Sequence, residues 1–178
     1  MHTKTHSIQV KKTAIAALMS ALGVVIMYIG AVVSVLDLTA LAVSSLLIYV
    51  VVIELGGPYP WLTWLVTGLL GVLILPCKEC ATMYILLGGA YPIFKSMFER
   101  LHPVVSWILK FSFFNTSLLL IITVITYILH IPDSKFQFGW LVFAVSNAVF
   151  LLYDIAATKL VTLYIVKLRK MLHLSDIF

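Results

Sequence analysis

The chain of 178 residues is 62% hydrophobic and only 11% charged, and its mean hydropathy is +1.12. Soluble domains carry about 25% charged residues, so this composition excludes a water-soluble globule. It predicts an all-α integral membrane protein in a lipid bilayer, with residues 1–178 as a single domain. The net charge of +5 does not indicate nucleic acid, because the basic residues lie mainly at the ends of apolar runs.

Six apolar runs predict six transmembrane helices, since a bilayer core takes about 20 helical residues. We predict spans at 13–34, 39–55, 60–76, 80–98, 104–129 and 139–162. The first run follows Lys11 and Lys12 and is too long for the apolar part of a signal peptide, so we expect it to be retained.

The basic residues predict the orientation of the chain, because they concentrate on the cytoplasmic side of membrane proteins. They cluster at the N-terminus, around the turn between the fourth and fifth spans, and at the C-terminus: Lys4, Lys11, Lys12, Lys95, Arg100, Lys167, Arg169 and Lys170. Both termini are therefore expected in the cytoplasm, with Asp37 and the segment 77–80 on the outer face.

Ionisable side chains inside a bilayer are costly, so each needs a partner or a function. Asp154 shares a face of the sixth span with Asn147, and Lys95 and Lys110 lie at depths similar to that of Asp154. We predict a structural ion pair between Asp154 and one of these lysines. A proton or ion pathway is the alternative, although no chain of carboxylates crosses the predicted membrane.

The fourth span is interrupted by Gly88, Gly89 and Pro92. Proline has no N–H to donate to the carbonyl of residue 88. A broken helix at membrane depth is tolerated where it faces a cavity or packed protein. A binding pocket walled by Tyr84 and Tyr91 and a simple kink are both compatible with this pattern.

Cys77 and Cys80 form a C-x-x-C at the outer end of this span. Structural zinc takes about four ligands, and the sequence has no second cysteine pair and only scattered histidines, so we predict no metal site. Two free thiols are favoured over a redox pair, and a disulfide stays open. Lys78, between them, either meets an anionic solute or extends its ammonium to the interface.

Templates for enzymes fail on this chain. No histidine lies deep in a span to serve a membrane serine protease, and Asp154 is the only deep aspartate. No nucleotide-binding loop and no H-E-x-x-H motif occur. We therefore predict a protein that is not an enzyme and carries no cofactor.

The first span contains a strip of small residues, Ala17-x-x-x-Ala21 with Ala14 and Ser20 near the same face. Such a strip lets another helix approach closely. Together with the basic start, six spans, chain length and basic C-terminus, it resembles the substrate-binding S components of energy-coupling factor (ECF) transporters. The resemblance implies a bacterial plasma-membrane subunit for uptake of a small, vitamin-like solute.

In that family an alanine motif on the first helix docks onto a coupling transmembrane subunit driven by ATPase subunits. The resemblance thus implies that Ala14, Ala17 and Ala21 bind this partner. It also implies a solute pocket near the outer face, formed by the first and third outer loops and helices four to six. The corresponding residues are Asp37, Lys78, Glu79, Tyr84, Asn115, Trp140 and Asn147. A structural or regulatory membrane protein, or a small stand-alone secondary carrier, are the alternatives.

Overall fold

The computed structural model describes residues 2–33, 35–128 and 140–168, which are almost entirely helical and contain no strand. The α-helices are α1 (His2–Val32), α2 (Asp37–Glu54), α3 (Tyr59–Ile74), α4 (Lys78–Met83), α5 (Ala90–Phe98), α6 (Pro103–Thr123) and α7 (Trp140–Leu163). In the part of the chain that the structure describes, three π-helical segments accompany them. Tyr84–Gly88 joins α4 to α5, while Val124–Ile128 and Tyr164–Leu168 extend α6 and α7.

Four helical stretches of the described residues are long and apolar enough to cross a membrane: Ile8–Val32, Asp37–Glu54, Pro103–Tyr127 and Phe143–Lys167. The prediction of an all-α protein is confirmed for the described residues, and four of their helices are candidates for membrane spans. The predicted third span is the apolar helix α3 of 16 residues, about 24 Å long. The predicted fourth span is divided among α4, a π-helical turn and α5. The count of six spans therefore stays a prediction.

The turn between α2 and α3 shows why the two helices separate where they do. Gly56 and Gly57 have φ angles of +59° and +56°, in the left-handed region that residues with a Cβ rarely adopt. Prolines follow at the start of α3, where a missing N–H costs no helical hydrogen bond. The glycine–proline cluster predicted this boundary correctly.

The chain divides into two compact units, residues 12–137 and residues 1–11 with 138–178. In the first unit, small residues bring α1 close to its neighbours. Ser44 Oγ donates to Gly23 O at 3.4 Å, and Thr67 Oγ1 donates to Ser20 O at 3.5 Å. A Cβ placed on Gly30 would overlap the Cβ of Ala40. Close backbone approach with interhelical hydrogen bonds is typical of helix packing in membranes.

In the second unit, α7 carries polar side chains that bond to its own backbone. Asn147 Nδ2 donates to Phe143 O at 2.9 Å, and Thr158 Oγ1 donates to Asp154 O at 2.8 Å. The side chain of Asp154 is buried, as are Phe150 and Ala157 on the same face. The two side-chain hydrogen bonds satisfy the amide of Asn147 and the hydroxyl of Thr158, donors that lipid cannot satisfy.

Candidate functional site

The small-residue strip of α1 faces outward. Ala14, Ala17 and Ala21 are exposed, whereas Ala16 and Ser20 are buried on the adjoining face of the helix. Ser20 lies beside the alanine face, three residues after Ala17, but it is buried: its hydroxyl donates to Ala16 O at 2.9 Å and its carbonyl accepts from Thr67. The alanines thus take no part in the core, and their backbone is open to approach by another helix.

The predicted interruption of the fourth span is confirmed, and it has a defined geometry. The helix widens into a π-helical turn at Tyr84–Gly88, closed by a hydrogen bond from Gly89 N to Tyr84 O at 2.7 Å. Trp64 of α3 donates its Nε1–H to Ile85 O at 3.0 Å. A neighbouring helix thus provides a donor to the backbone of the irregular turn, as expected inside a bilayer.

Tyr84 is enclosed by protein rather than lining an open surface. It is 0% exposed and packs in a core cluster with Val24, Met27, Leu75 and Cys80. Its hydroxyl is buried and makes no hydrogen bond among the described residues. Tyr91 is likewise buried, at 1% exposure. In this conformation both tyrosines contribute packing, and contact with a solute would require the helices around Tyr84 to separate.

Lys78 anchors the turn between α3 and α4. Its Nζ donates to Val72 O at 2.6 Å and to Leu75 O at 3.0 Å. These carbonyls belong to the C-terminal end of α3, where a cation is favourable. The ammonium of this exposed lysine therefore has a structural partner, and a bound anion would add to that contact or replace it.

The remaining predicted pocket residues lie on α6 and α7. Asn115 Nδ2 donates to Phe111 O at 2.8 Å, in the same way that Asn147 bonds one turn back on α7. Both amides are half-buried. Trp140 begins α7, and its side chain lies outside the described residues. The role of these three residues in solute binding stays a prediction.

Lys95 and Lys110 are both buried and share one carboxylate. Glu99 Oε1 lies 3.5 Å from Lys95 Nζ and 2.9 Å from Lys110 Nζ. Sequence reasoning missed Glu99, although its position one turn after Lys95 was a usable signal. Each ammonium also faces an aromatic ring, Lys95 over Tyr49 at 5.8 Å and Lys110 over Trp107 at 5.3 Å. The predicted pairing of Asp154 with one of these lysines stays a prediction.

A third side chain that is able to bind a metal ion lies beside Cys77 and Cys80. Asp37, the first residue of α2, places a carboxylate oxygen so that it and the sulfurs of Cys77 and Cys80 all lie within 4.8 Å of one another. Both cysteines are free thiols, and Cys80 N donates to Cys77 Sγ at 3.4 Å. Sequence reasoning placed these residues on one side of the membrane but did not join them. No local pattern links Asp37 to residues so much later in the chain.

Comparison with protein-family models, with curated proteins and with solved structures found no match for this chain. The functional argument therefore depends on the residues and geometry given above.

Proposed function

We propose that this chain is the solute-binding membrane subunit of a bacterial uptake transporter, energised by a separate coupling subunit and ATPases, as in ECF transporters. In this proposal the chain crosses the plasma membrane six times, with both termini in the cytoplasm. The solute is a small organic, vitamin-like molecule that enters from the outer face. The apolar helical chain and the features of α1 support this function.

The observation that carries the proposal is the exposure of Ala14, Ala17 and Ala21. Small residues on a lipid-facing surface contribute little to the stability of the chain itself. They do allow a partner helix to approach closely and gain van der Waals contact, the main source of helix association in lipid. An exposed alanine strip is therefore suited to docking onto another membrane subunit.

The proposed outer solute site draws support from the proximity of two turns. Asp37 is the first residue of α2 and Lys78 is the first residue of α4, directly after Cys77. Because the carboxylate of Asp37 lies near the sulfurs of Cys77 and Cys80, the α1–α2 turn and the α3–α4 turn are close together. Charged groups gathered at one end of a helical unit are able to orient a polar solute before it enters the apolar interior. Asn115, in the same unit, would provide an amide hydrogen bond deeper in the membrane, and the role of Asn147 is proposed from the sequence alone.

The test is co-purification of the full chain from a bacterium that has an ECF module. The unchanged protein should retain a coupling subunit, two ATPases and a small organic molecule, all identified by mass spectrometry. Ala17→Leu and Ala21→Leu should remove the partner subunits while the isolated chain keeps its thermal stability. Ala148→Leu places the same change at an exposed alanine of α7 and should retain the partners.

The buried neighbour Ala16 gives the opposite expectation. Ala16→Leu inserts extra volume into a packed face, which costs about 1–3 kcal/mol. That variant should lose stability in the isolated chain. If Ala17→Leu and Ala21→Leu retained the partner subunits, the docking proposal would be wrong.

A structural or regulatory membrane protein is the second candidate. Lys78, Asn115 and Asn147 all donate to backbone carbonyls, as polar groups that only stabilise helices would. Purification of a stable chain without coupling subunit, ATPases or solute would favour this function.

A further inference from the structure

We infer that Cys77, Cys80 and Asp37 bind a zinc-type divalent cation. The three donor atoms all lie within 4.8 Å of one another. Tetrahedral zinc, with Zn–S of about 2.3 Å and Zn–O of about 2.0–2.2 Å, spaces its donors about 3.5–3.8 Å apart. The donors need to approach one another by at most about 1.0–1.3 Å to reach this spacing, a shift within the range of side-chain rotation.

The chemistry of the donors favours zinc over magnesium or calcium. Thiolates are soft ligands that select zinc and related ions, whereas magnesium and calcium prefer sites built from oxygen atoms. When the ion binds, each thiol loses its proton to solvent and the carboxylate binds as the anion. The ion with its three ligands is then net negative, and the ammonium of Lys78 lies beside them in sequence.

Asp37 provides an independent indication of a ligand. Its Oδ1 is buried and accepts no hydrogen bond of standard geometry among the described residues, although the carboxylate faces the thiol of Cys80. A buried polar atom without a partner costs about 1–3 kcal/mol, and more when the group is charged. A cation held between this oxygen and the two sulfurs would remove that cost. The isolated C-x-x-C of the sequence does not provide this argument, because it lacks the carboxylate.

Backbone hydrogen bonds stabilise the turns that carry the three ligands. Leu75 N donates to Gly71 O at 3.0 Å, and Lys78 holds the end of α3 through two carbonyls. The turn before α2 is closed by a hydrogen bond from Leu36 N to Val33 O at 2.7 Å. A site on a pre-formed backbone loses less conformational entropy when it binds a ligand.

Three protein ligands leave the fourth tetrahedral position open. Closed structural zinc sites have four protein ligands, whereas sites with three hold water or a substrate atom at the fourth position. The cation would therefore connect the α1–α2 turn to the α3–α4 turn and present one exchangeable position. This inference does not depend on the proposed transport function, because it concerns the isolated chain.

The test uses the full chain, purified in detergent through a tag without histidine, stripped with a chelator and kept reduced. After addition of zinc chloride and gel filtration, metal analysis should find one zinc ion per chain. Zinc binding should weaken by more than about tenfold in each of three variants, Cys77→Ser, Cys80→Ser and Asp37→Asn. Removal of a group that only hydrogen-bonds to a metal ligand already weakens metal binding by about 10–100-fold. Cys77 and Asp37 are half-buried, so their variants test the site even if Cys80→Ser fails to fold.

The matched control is Glu54→Gln, which neutralises a carboxylate at the opposite end of α2. It should retain zinc with unchanged affinity, and so exclude a general effect of lost negative charge. Cobalt(II) gives a second readout, because thiolate ligands produce an intense charge-transfer absorption. That absorption should appear with the unchanged chain and disappear with Cys77→Ser.

Two outcomes would overturn the inference. One is zinc retention that is equal in the unchanged chain and in the Cys77 and Asp37 variants, which would place the ion elsewhere in the chain. The other is a reduced chain that takes up no zinc. If, in addition, the thiols of a chain purified without reductant react with a thiol reagent only after reduction, the pair forms a disulfide instead.

Discussion

The carboxylate of Glu99, at the end of α5, bridges two buried lysines. A buried ammonium needs a counter-ion or hydrogen-bond acceptors, because lipid and apolar side chains cannot solvate it. Glu99 supplies an oxygen to both Lys95 and Lys110. Its own side chain is 43% exposed, so the carboxylate keeps some solvation while it neutralises charge inside the protein. This single acidic residue connects α5 to α6.

Glu99→Gln should destabilise the chain. The amide keeps the shape but removes the charge that faces both ammonium groups. We expect the free energy of unfolding to fall by about 1–3 kcal/mol. This lies between the contribution of an exposed ion pair and the cost of breaking a buried one. The measurement is the thermal unfolding midpoint of purified protein in detergent, followed by tryptophan fluorescence.

Glu79→Gln is the control for this change, since Glu79 makes no ion pair among the described residues. It should unfold within about 0.5 kcal/mol of the unchanged chain. Equal midpoints for the two variants would show that Glu99 does not stabilise the buried lysines.

At the scale of the helix, the segment from α4 to α5 depends on its neighbours for backbone hydrogen bonds. The π-helical turn and the proline at position 92 disturb the regular ladder of an α-helix. Gly89 has no side chain, so Trp64 and Tyr84 pack directly against its backbone: an added Cβ would lie 2.5 Å from Trp64 Cδ1 and 2.8 Å from the Tyr84 ring. The turn is therefore held in place by α3 through contact and hydrogen bonding.

Trp64→Phe should destabilise this irregular segment. Phenylalanine keeps an aromatic ring but removes the donor to Ile85 O. Loss of the donor to this half-buried carbonyl costs about 0.5–1.5 kcal/mol, and the smaller ring adds a packing loss. Trp61→Phe is the matched control for this change, because it makes the same substitution at a more exposed residue. Trp61 is 39% exposed, and its ring contacts with Trp64 and Phe94 are edge-on. The unfolding midpoint of Trp61→Phe should fall by less than half as much as that of Trp64→Phe. Equal shifts in the two variants would refute the role of the Trp64 indole N–H.

The sequence was sufficient to predict where this segment breaks, but not what stabilises the break. Gly88, Gly89 and Pro92 act on their own backbone, and local chemistry identifies them. The donor from Trp64 and the carboxylate of Asp37 come from other helices, so their positions depend on how helices pack. The contacts of Lys78 with the end of α3 were also missed, because an interfacial lysine has many conformations available and the sequence does not choose among them.

For the whole molecule, the number of membrane crossings decides on which side of the membrane Cys77 and Cys80 lie. Helix α3 is about 6 Å shorter than a bilayer core of about 30 Å. A short helix still crosses if the bilayer thins locally or flanking side chains extend to the interface. If α3 and the segment 78–98 each cross, the cysteines lie on the outer face. If they enter and return without crossing, residues 76–80 lie within the membrane.

Single cysteines placed in three turns should distinguish these two arrangements. In a chain with Cys77→Ser and Cys80→Ser, we would introduce Val35→Cys, Pro76→Cys or Arg100→Cys, all at exposed positions. A membrane-impermeant thiol reagent added to intact spheroplasts should label the first two, because six crossings place both turns outside. Arg100→Cys should react only after permeabilisation. Labelling of Val35→Cys without Pro76→Cys would contradict six crossings, since the segment 59–98 would then enter and leave on the cytoplasmic side.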